Sequence, residues 1–316
     1  MRELPQALVS GPFTRSQARA QGVTDRMLQG QRFVRVLPGV WASRDLTLTW
    51  EHRVAAARLA LPRSAHPTGL TRIQMLGLDE GPRLPLHFVV QGDLHLALPG
   101  VFLHRTKKLA PLDEHGVGVA GAFISFCARA RVVDAIRVGD WLLAAGHLTR
   151  GQLIELALAE PWRDGAHEAI WLCEHLDPRS RSLPESELRA VLGFAGLPAP
   201  EVNPTLVLDE VTVSPDLLYR EHRLIVEYQG AQHQVDRSIY VADLDRLELL
   251  RAHGFGCLEV PKERLAHART LVGRVHRELN ARGYAGRPPY LDDRWQRLFA
   301  RLSHQVGSRR DRAGAA

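Results

Sequence analysis

The sequence predicts a multidomain protein of mixed α/β and α+β class. Three observations carry this reading. The chain has 316 residues, enough for two or three domains of ordinary size. Its first 45 residues pair short capped helical segments with a hairpin pattern. From Ser182 onward the order becomes helix, strand, strand, strand, helix, strand, which describes a mixed sheet flanked by helices.

Composition narrows the class of function. Hydrophobic residues make up 45% of the chain and charged residues 24%, as in ordinary globular proteins. No stretch reaches the roughly 18 continuous apolar residues of a membrane span. The opening MRELPQALVSGPF has neither a long apolar core nor a cleavage signal, so a cytoplasmic location is expected. Cys127, Cys173 and Cys257 lie far apart, which suits a reducing compartment and gives no zinc spacing. With 41 basic and 35 acidic residues the net charge is +6, a balance mildly favourable to a polyanion.

Residues 1–45 read as a helix-turn-helix followed by a hairpin. Thr14 is a candidate N-cap for RSQARA, and Gly22 stands where that helix would stop. Thr24 can cap DRMLQG, and FVRVLPGVWA alternates about Pro38-Gly39. Between residues 12 and 42, Arg15, Arg19, Arg26, Arg32 and Arg35 stand against Asp25 alone. This is the order of a winged helix-turn-helix, with Arg26 and Gln29 as base-edge candidates and Arg15, Arg32 and Arg35 as further contacts to duplex DNA. The plainer alternative is a winged helix used for packing or dimerisation.

Residues 46–146 form a small α+β middle domain with no readable chemistry. WEHRVAAARLALP and HPTGLTRIQMLGL carry helical periodicity, LHFVVQG and VFLHRT read as strands, and GAFISFC starts extended before a helix over 132–145. His66, His87, His95 and His104 fall here without a metal-motif spacing. Residues 147–181 are a helical connector with Thr149 as a cap; Trp171 fits packing better than a stacking platform.

In residues 182–303, Ser182 followed three positions later by Glu185 makes a capping box opening a helix with Leu188, Val191 and Leu192 on its apolar face. VNPTLVLDEVTVSPDLLY and HRLIVEYQG supply strands, DLDRLELLRAHG a helix and FGCLEV a short buried strand. The tail, residues 304–316, is small, charged and expected to be disordered.

The chemistry concentrates at Ser214–Val260. Glu227 lies within an apolar strand, where an unpaired buried carboxylate is costly. Gln229, two residues on, leaves the same face. With Asp216 on the neighbouring strand, two carboxylates converge at one sheet edge, as a hard cation such as Mg²⁺ requires, with Mn²⁺ as its substitute. Asp216 and Glu227 are the candidate metal ligands, with the Tyr228 carbonyl as a third. Glu185 could reach the same site, His233 is a candidate general acid or base with a reference pKa near ~6.5, and Arg246 could contact phosphate. The bland readings are a helix cap for Glu185, a loop histidine for His233 and a surface ion pair for Asp243 and Arg246.

On SPDLLY, LIVEYQGAQH and DLDRLELLRAHGF the chain resembles the PD-(D/E)XK nuclease superfamily, in particular the domain family related to very-short-patch-repair endonucleases. The matching positions are Pro215-Asp216, Val226-Glu227, Gly230, His233, Asp243, Arg246, Leu250 and Gly254-Phe255, and SLPESELR is similar to the entry helix that carries Glu185. The resemblance covers 182–262. It implies a restriction-endonuclease-like fold and Mg²⁺-dependent phosphodiester hydrolysis. Two positions depart from it: Gln229 stands where lysine is usual, and Glu259 where a basic residue is expected. The first 42 residues resemble the N-terminal winged helix of abortive-infection (AbiEi-type) antitoxins of type IV toxin–antitoxin systems. That likeness implies DNA binding by residues 13–42 and raises a homodimer and a cognate toxin as further partners.

The expected function is a Mg²⁺-dependent DNA endonuclease placed on duplex DNA by its N-terminal unit. The alternatives are an antitoxin-like DNA-binding regulator with a degenerate nuclease fold, suggested by Gln229, and an RNA-processing enzyme.

Overall fold

The structure is a computed structural model that describes residues 5–230 and 237–306, with the side chains of 237–244 outside the description. It is a mixed α/β multidomain arrangement with several small sheets. The chain divides into two compact units, residues 1–125 and 126–316. Among the described residues no helix is long and apolar enough to cross a membrane.

The first unit begins α1 (Gln6–Val9), β1 (Phe13–Thr14), α2 (Arg15–Ala20), α3 (Asp25–Leu28), β2 (Phe33–Leu37) and β3 (Val40–Ser43). The strands form an antiparallel sheet ordered β1-β3-β2. Local chemistry accounts for the boundaries. Thr14 accepts the Gln17 N–H while Gln17 returns to the Thr14 N–H, and Thr24 accepts the Met27 N–H. Gly22 and Gly39 both take positive φ, which glycine adopts without the Cβ penalty. The helices close on Leu8, Phe13, Ala18, Val23, Leu28 and Phe33, with Phe13 and Phe33 edge to face at 5.6 Å.

Next come α4 (Trp50–Ala60), β4 (Ala65–Pro67), α5 (Gly69–Gln74), β5 (Leu86–Gln91), β6 (Val101–Thr106), β7 (Leu112–Asp113) and β8 (Gly116–Val117). Strand β5 pairs antiparallel with β4 and parallel with β6. One apolar cluster joins Leu37 and Val40 of the hairpin to Val54 and Ala57 of α4 and to Leu86 and Phe88 of β5. The segment GAFISFC, expected to start extended, is helical: α6 spans Val119–Cys127. Its Ala122, Phe123 and Ile124 are fully buried, so burial on more than one face hides the helical period and leaves a continuous apolar run.

The second unit continues with α7 (Val132–Ala144), α8 (Arg150–Ala159), α9 (Ala166–Leu172) and α10 (Leu183–Phe194). Thr149 caps α8 as expected, accepting the Gln152 N–H at 3.2 Å. Trp171 is a packing residue, stacked on the His175 ring at 4.2 Å. Helices α7 and α10 pack together around the fully buried Asp140, which accepts from Arg189 at 2.7 Å and from the Asp177 N–H at 2.6 Å. Removing one partner of such a pair costs about 3–5 kcal/mol, because the other charge is left buried.

There follow β9 (Glu201–Val202), β10 (Leu206–Leu208), β11 (Val211–Val213), β12 (Leu217–Tyr219), β13 (Leu224–Gln229), α11 (Arg237–Ala252), β14 (Gly256–Pro261), α12 (Lys262–Leu265), α13 (Ala268–Ala281), α14 (Asp293–Gln296) and α15 (Ser303–Val306). The sheet runs β14-β13-β12-β9: β12 is antiparallel to both β9 and β13, and β13 is parallel to β14. Strands β10 and β11 form a separate hairpin whose two-residue turn is Asp209-Glu210, both at positive φ. One face of the sheet buries Leu217, Val226, Leu258 and Val260, and α10 and α13 pack against β13. The opposite face sets Leu218 and Ile225 against Leu250 of α11. Of the expected tail, residues 307–316 lie outside the described residues.

Candidate active site

Strand register assembles the site. Leu217 pairs with Val226, so the next residue of each strand brings Asp216 opposite Glu227. On one side Glu227 pairs in register with Glu259 of β14. On the other, the Asn203 N–H donates to the Asp216 carbonyl at 2.9 Å. Asn203, Asp216, Glu227 and Glu259 therefore form one row across the four-stranded sheet. Pleat alternation puts Glu227 on the Ile225 face, which α11 covers.

Asp216 is held from its side chain as well as its backbone. Its Oδ2 accepts the Tyr228 N–H at 2.8 Å. Burial, then the Glu185 carboxylate, push its carboxyl up to about 7; Glu227 adds to the rise, while the Tyr228 N–H and the Arg246 guanidinium oppose it. An acid with these neighbours lies within electrostatic reach of both Glu185 and Glu227.

Glu227 is 9% exposed and is not left unpaired. Arg246 of α11 donates to both its oxygens, Nη1 to Oε1 and Nη2 to Oε2, each at 2.7 Å. Arg246 lies one helical turn before Leu250, so the contact that packs α11 on Ile225 also aims the guanidinium at Glu227. Arg246, a candidate phosphate contact or surface partner of Asp243 by sequence, is engaged by Glu227.

Glu185 departs from the expected capping box. Ser182 Oγ does accept the Glu185 N–H at 3.3 Å, but the Glu185 carboxylate does not return to Ser182. Its Oε2 accepts the Arg181 N–H and Asn203 Nδ2, both at 2.9 Å. Half of the box forms, and the other half is replaced by a link into the sheet row. Asn203, which no motif in the sequence singles out, is thus the joint between Glu185 and Asp216. The one local signal is an asparagine placed before Pro204; its φ of 46° lies in the left-handed region, which asparagine tolerates better than most residues.

Gln229 follows Glu227 on the same face and presents an uncharged amide, with Pro261 as its strand partner. His233 lies outside the described residues, as does the side chain of Asp243. Burial pushes the thiol of Cys257, a neighbour of the row, up to about 11, with Glu227 adding to the rise.

The donor set suits a hard cation. Asp216 and Glu227 offer only oxygen and stand opposite each other in strand register. Among the described residues no three of His, Cys, Asp and Glu group as a metal-binding set, so a cation here would rest on two carboxylates together with backbone, water or phosphate oxygen. The histidines of the first unit form no such set either. His87 Nδ1 lies 3.0 Å from His104 Nε2, whereas His95 turns to Asp93 and Arg105.

The candidate DNA contacts in the first unit divide into two groups. Arg15 and Arg19 both bind Asp25, Arg15 at 3.4 Å, and Arg15 also lies over the Trp41 ring at 5.8 Å. Arg26, Gln29 and Arg35 are exposed, and Arg32 is half-buried. The candidate reading helix, α3, is only four residues long.

No protein-family model matches the chain, and no curated protein matches its sequence.

Proposed function

We propose that the protein is a Mg²⁺-dependent DNA endonuclease that hydrolyses phosphodiester bonds at the Asp216–Glu227 cluster, with residues 1–45 delivering it to duplex DNA. The observation that carries this reading is the row Asn203, Asp216, Glu227, Glu259 at one level of the sheet, with Glu185 joined to it through Asn203. The order α10, β9, β12, β13, α11, β14 supports a restriction-endonuclease-like core. The order β1-β3-β2 behind three short helices supports a winged helix.

Mg²⁺, or Mn²⁺ in its place, supplies neutralisation of the phosphate and activation of water when bound to Asp216 and Glu227. Asp216 must be ionised to act as a ligand, so the proton favoured by its raised carboxyl competes with the cation as pH falls. Arg246 fixes the orientation of Glu227 and brings to the site the positive charge that Gln229 lacks. Glu185 and Asn203 hold Asp216 in register with Glu227. Cytoplasmic location and a homodimer accord with this reading and are parts of the proposal.

Supercoiled plasmid incubated with the wild-type chain and Mg²⁺ should be nicked, and Asp216→Ala and Glu227→Ala should each reduce nicking by at least about 100-fold. Equal nicking by all three proteins would discard the proposal.

A second reading is a non-catalytic, antitoxin-like DNA-binding regulator that answers to a cognate toxin. The specific observation in its favour is that Arg246 already neutralises Glu227 while Gln229 adds no charge. Duplex binding dependent on Arg26 and Arg35, without cleavage under any divalent metal, would favour it. Cleavage confined to single-stranded RNA would point to an RNA-processing enzyme.

A further inference from the structure

Beside the acidic row lies an open pocket of about 540 Å³, bounded by Trp141 of α7, the segment Arg179–Ser182 and Asn203. Its position is fixed by Asn203, whose side chain donates both to Glu185 and to the Arg179 carbonyl at 2.9 Å while its N–H donates to Asp216. One residue therefore forms a wall of the pocket and a joint of the acid cluster.

The pocket lining is chemically asymmetric. The Arg179 charge is offset by a bidentate pair with Asp177 at 3.0 and 2.7 Å, which holds the segment in place. Arg181 is exposed, and among the described residues its guanidinium makes no ion pair or hydrogen bond. Next to it, the Ser180 hydroxyl is buried beneath the surface, with no hydrogen-bond partner among the described residues. Trp141 adds a half-buried aromatic wall. An exposed guanidinium and an aromatic ring around a volume of this size are parts that hold a nucleotide: phosphate on the first, base on the second.

We propose that this pocket is a nucleotide subsite, taking the phosphate and base of a nucleotide that flanks the one held at Asp216 and Glu227. The inference rests on the nuclease reading for its orientation but makes a binding claim that can be tested without cleavage. Arg181 receives the phosphate, and Trp141 receives the base.

The test is anisotropy of a fluorescein-labelled single-stranded oligonucleotide with the full chain in EDTA, where metal-dependent cleavage is silent, with dAMP, deoxyadenosine and inorganic phosphate as competitors. Arg181→Glu and Trp141→Ala should each weaken binding by roughly ten- to a hundred-fold, and Arg181→Lys should keep most of it. Of the competitors, dAMP should displace the oligonucleotide most effectively. Trp141→Phe keeps a ring in the wall and should bind close to wild type, which separates loss of stacking from loss of folding. Unchanged affinity in Arg181→Glu at an unchanged melting temperature overturns the subsite, as does a wild-type chain that binds neither oligonucleotide nor dAMP. If Arg181→Glu loses affinity while the wild type fails to nick plasmid with Mg²⁺, the nuclease reading falls and the subsite stands. If the wild type nicks plasmid and Arg181→Glu keeps both affinity and KM, the subsite falls alone.

Discussion

Arg246 grips both carboxylate oxygens of Glu227 at 2.7 Å, joining the middle of α11 to the centre of the four-stranded sheet. The pair is mostly withdrawn from water, with 29% of the arginine and 11% of the glutamate side chain exposed. Arg246→Ala would leave the Glu227 charge buried and unpaired. The expected loss is about 2–4 kcal/mol in a urea unfolding curve, below that of a fully buried pair because the guanidinium is partly solvated. Glu227→Gln in the same background should recover part of that loss, and no recovery would mean that the pair is not what stabilises this contact.

Asp216 gives the protein a pH dependence with a definite sign. Its folded carboxyl titrates at about 7 against an ordinary value of 3.8. Between those values the folded chain holds a proton that the unfolded chain has released, so this group's contribution to stability falls as pH rises through the window and is level above it. The size is on the order of 4 kcal/mol. Asp216→Asn does not titrate, and its unfolding free energy should gain on the wild type steadily from pH 4 to pH 7. A difference that stays constant over that range would refute the assignment, and Mg²⁺ at pH 8 should narrow it.

Asn203 should prove sensitive for two separable reasons. Asn203→Ala removes the donor to Glu185 and places alanine at a φ of 46°. Asn203→Gly removes the same donor but tolerates the backbone. Thermal melts should rank wild type above Gly and Gly above Ala, with the loss of the bond to the carboxylate contributing about 1–2 kcal/mol. Nicking should fall in both variants, since both release Glu185 from the row.

Asp25 restrains two of the arginines of the first unit. Asp25→Asn should therefore strengthen duplex binding several-fold at low salt and steepen its salt dependence. Arg26→Ala and Arg35→Ala should each weaken binding and reduce the salt slope by about one unit. Mobility shifts across a salt series measure both effects. Affinity that ignores all three substitutions would remove the first unit from the DNA-binding surface.

Much of this organisation was legible in the sequence because it is local. The threonine caps at 14, 24 and 149, the Pro38-Gly39 hairpin and the Asp209-Glu210 turn each follow from a few adjacent residues. The apolar setting of Glu227 and its spacing from Asp216 were legible as well, since alternation and a hairpin connection fix which strands can meet. What was not legible depends on partners far apart in the chain. The bond from Asn203 to Glu185 spans 18 positions and the grip of Arg246 on Glu227 spans 19. Neither leaves a periodic signal. GAFISFC misleads for a related reason: a helix buried on several sides has no polar stripe to reveal its period.

The most direct test of the metal claim is anomalous diffraction from crystals of the wild-type chain soaked in Mn²⁺. The expected result is an ion between the carboxylates of Asp216 and Glu227, lost in Asp216→Ala. Mn²⁺ bound elsewhere with no ion between these two carboxylates, in crystals that still nick DNA when dissolved, would contradict it.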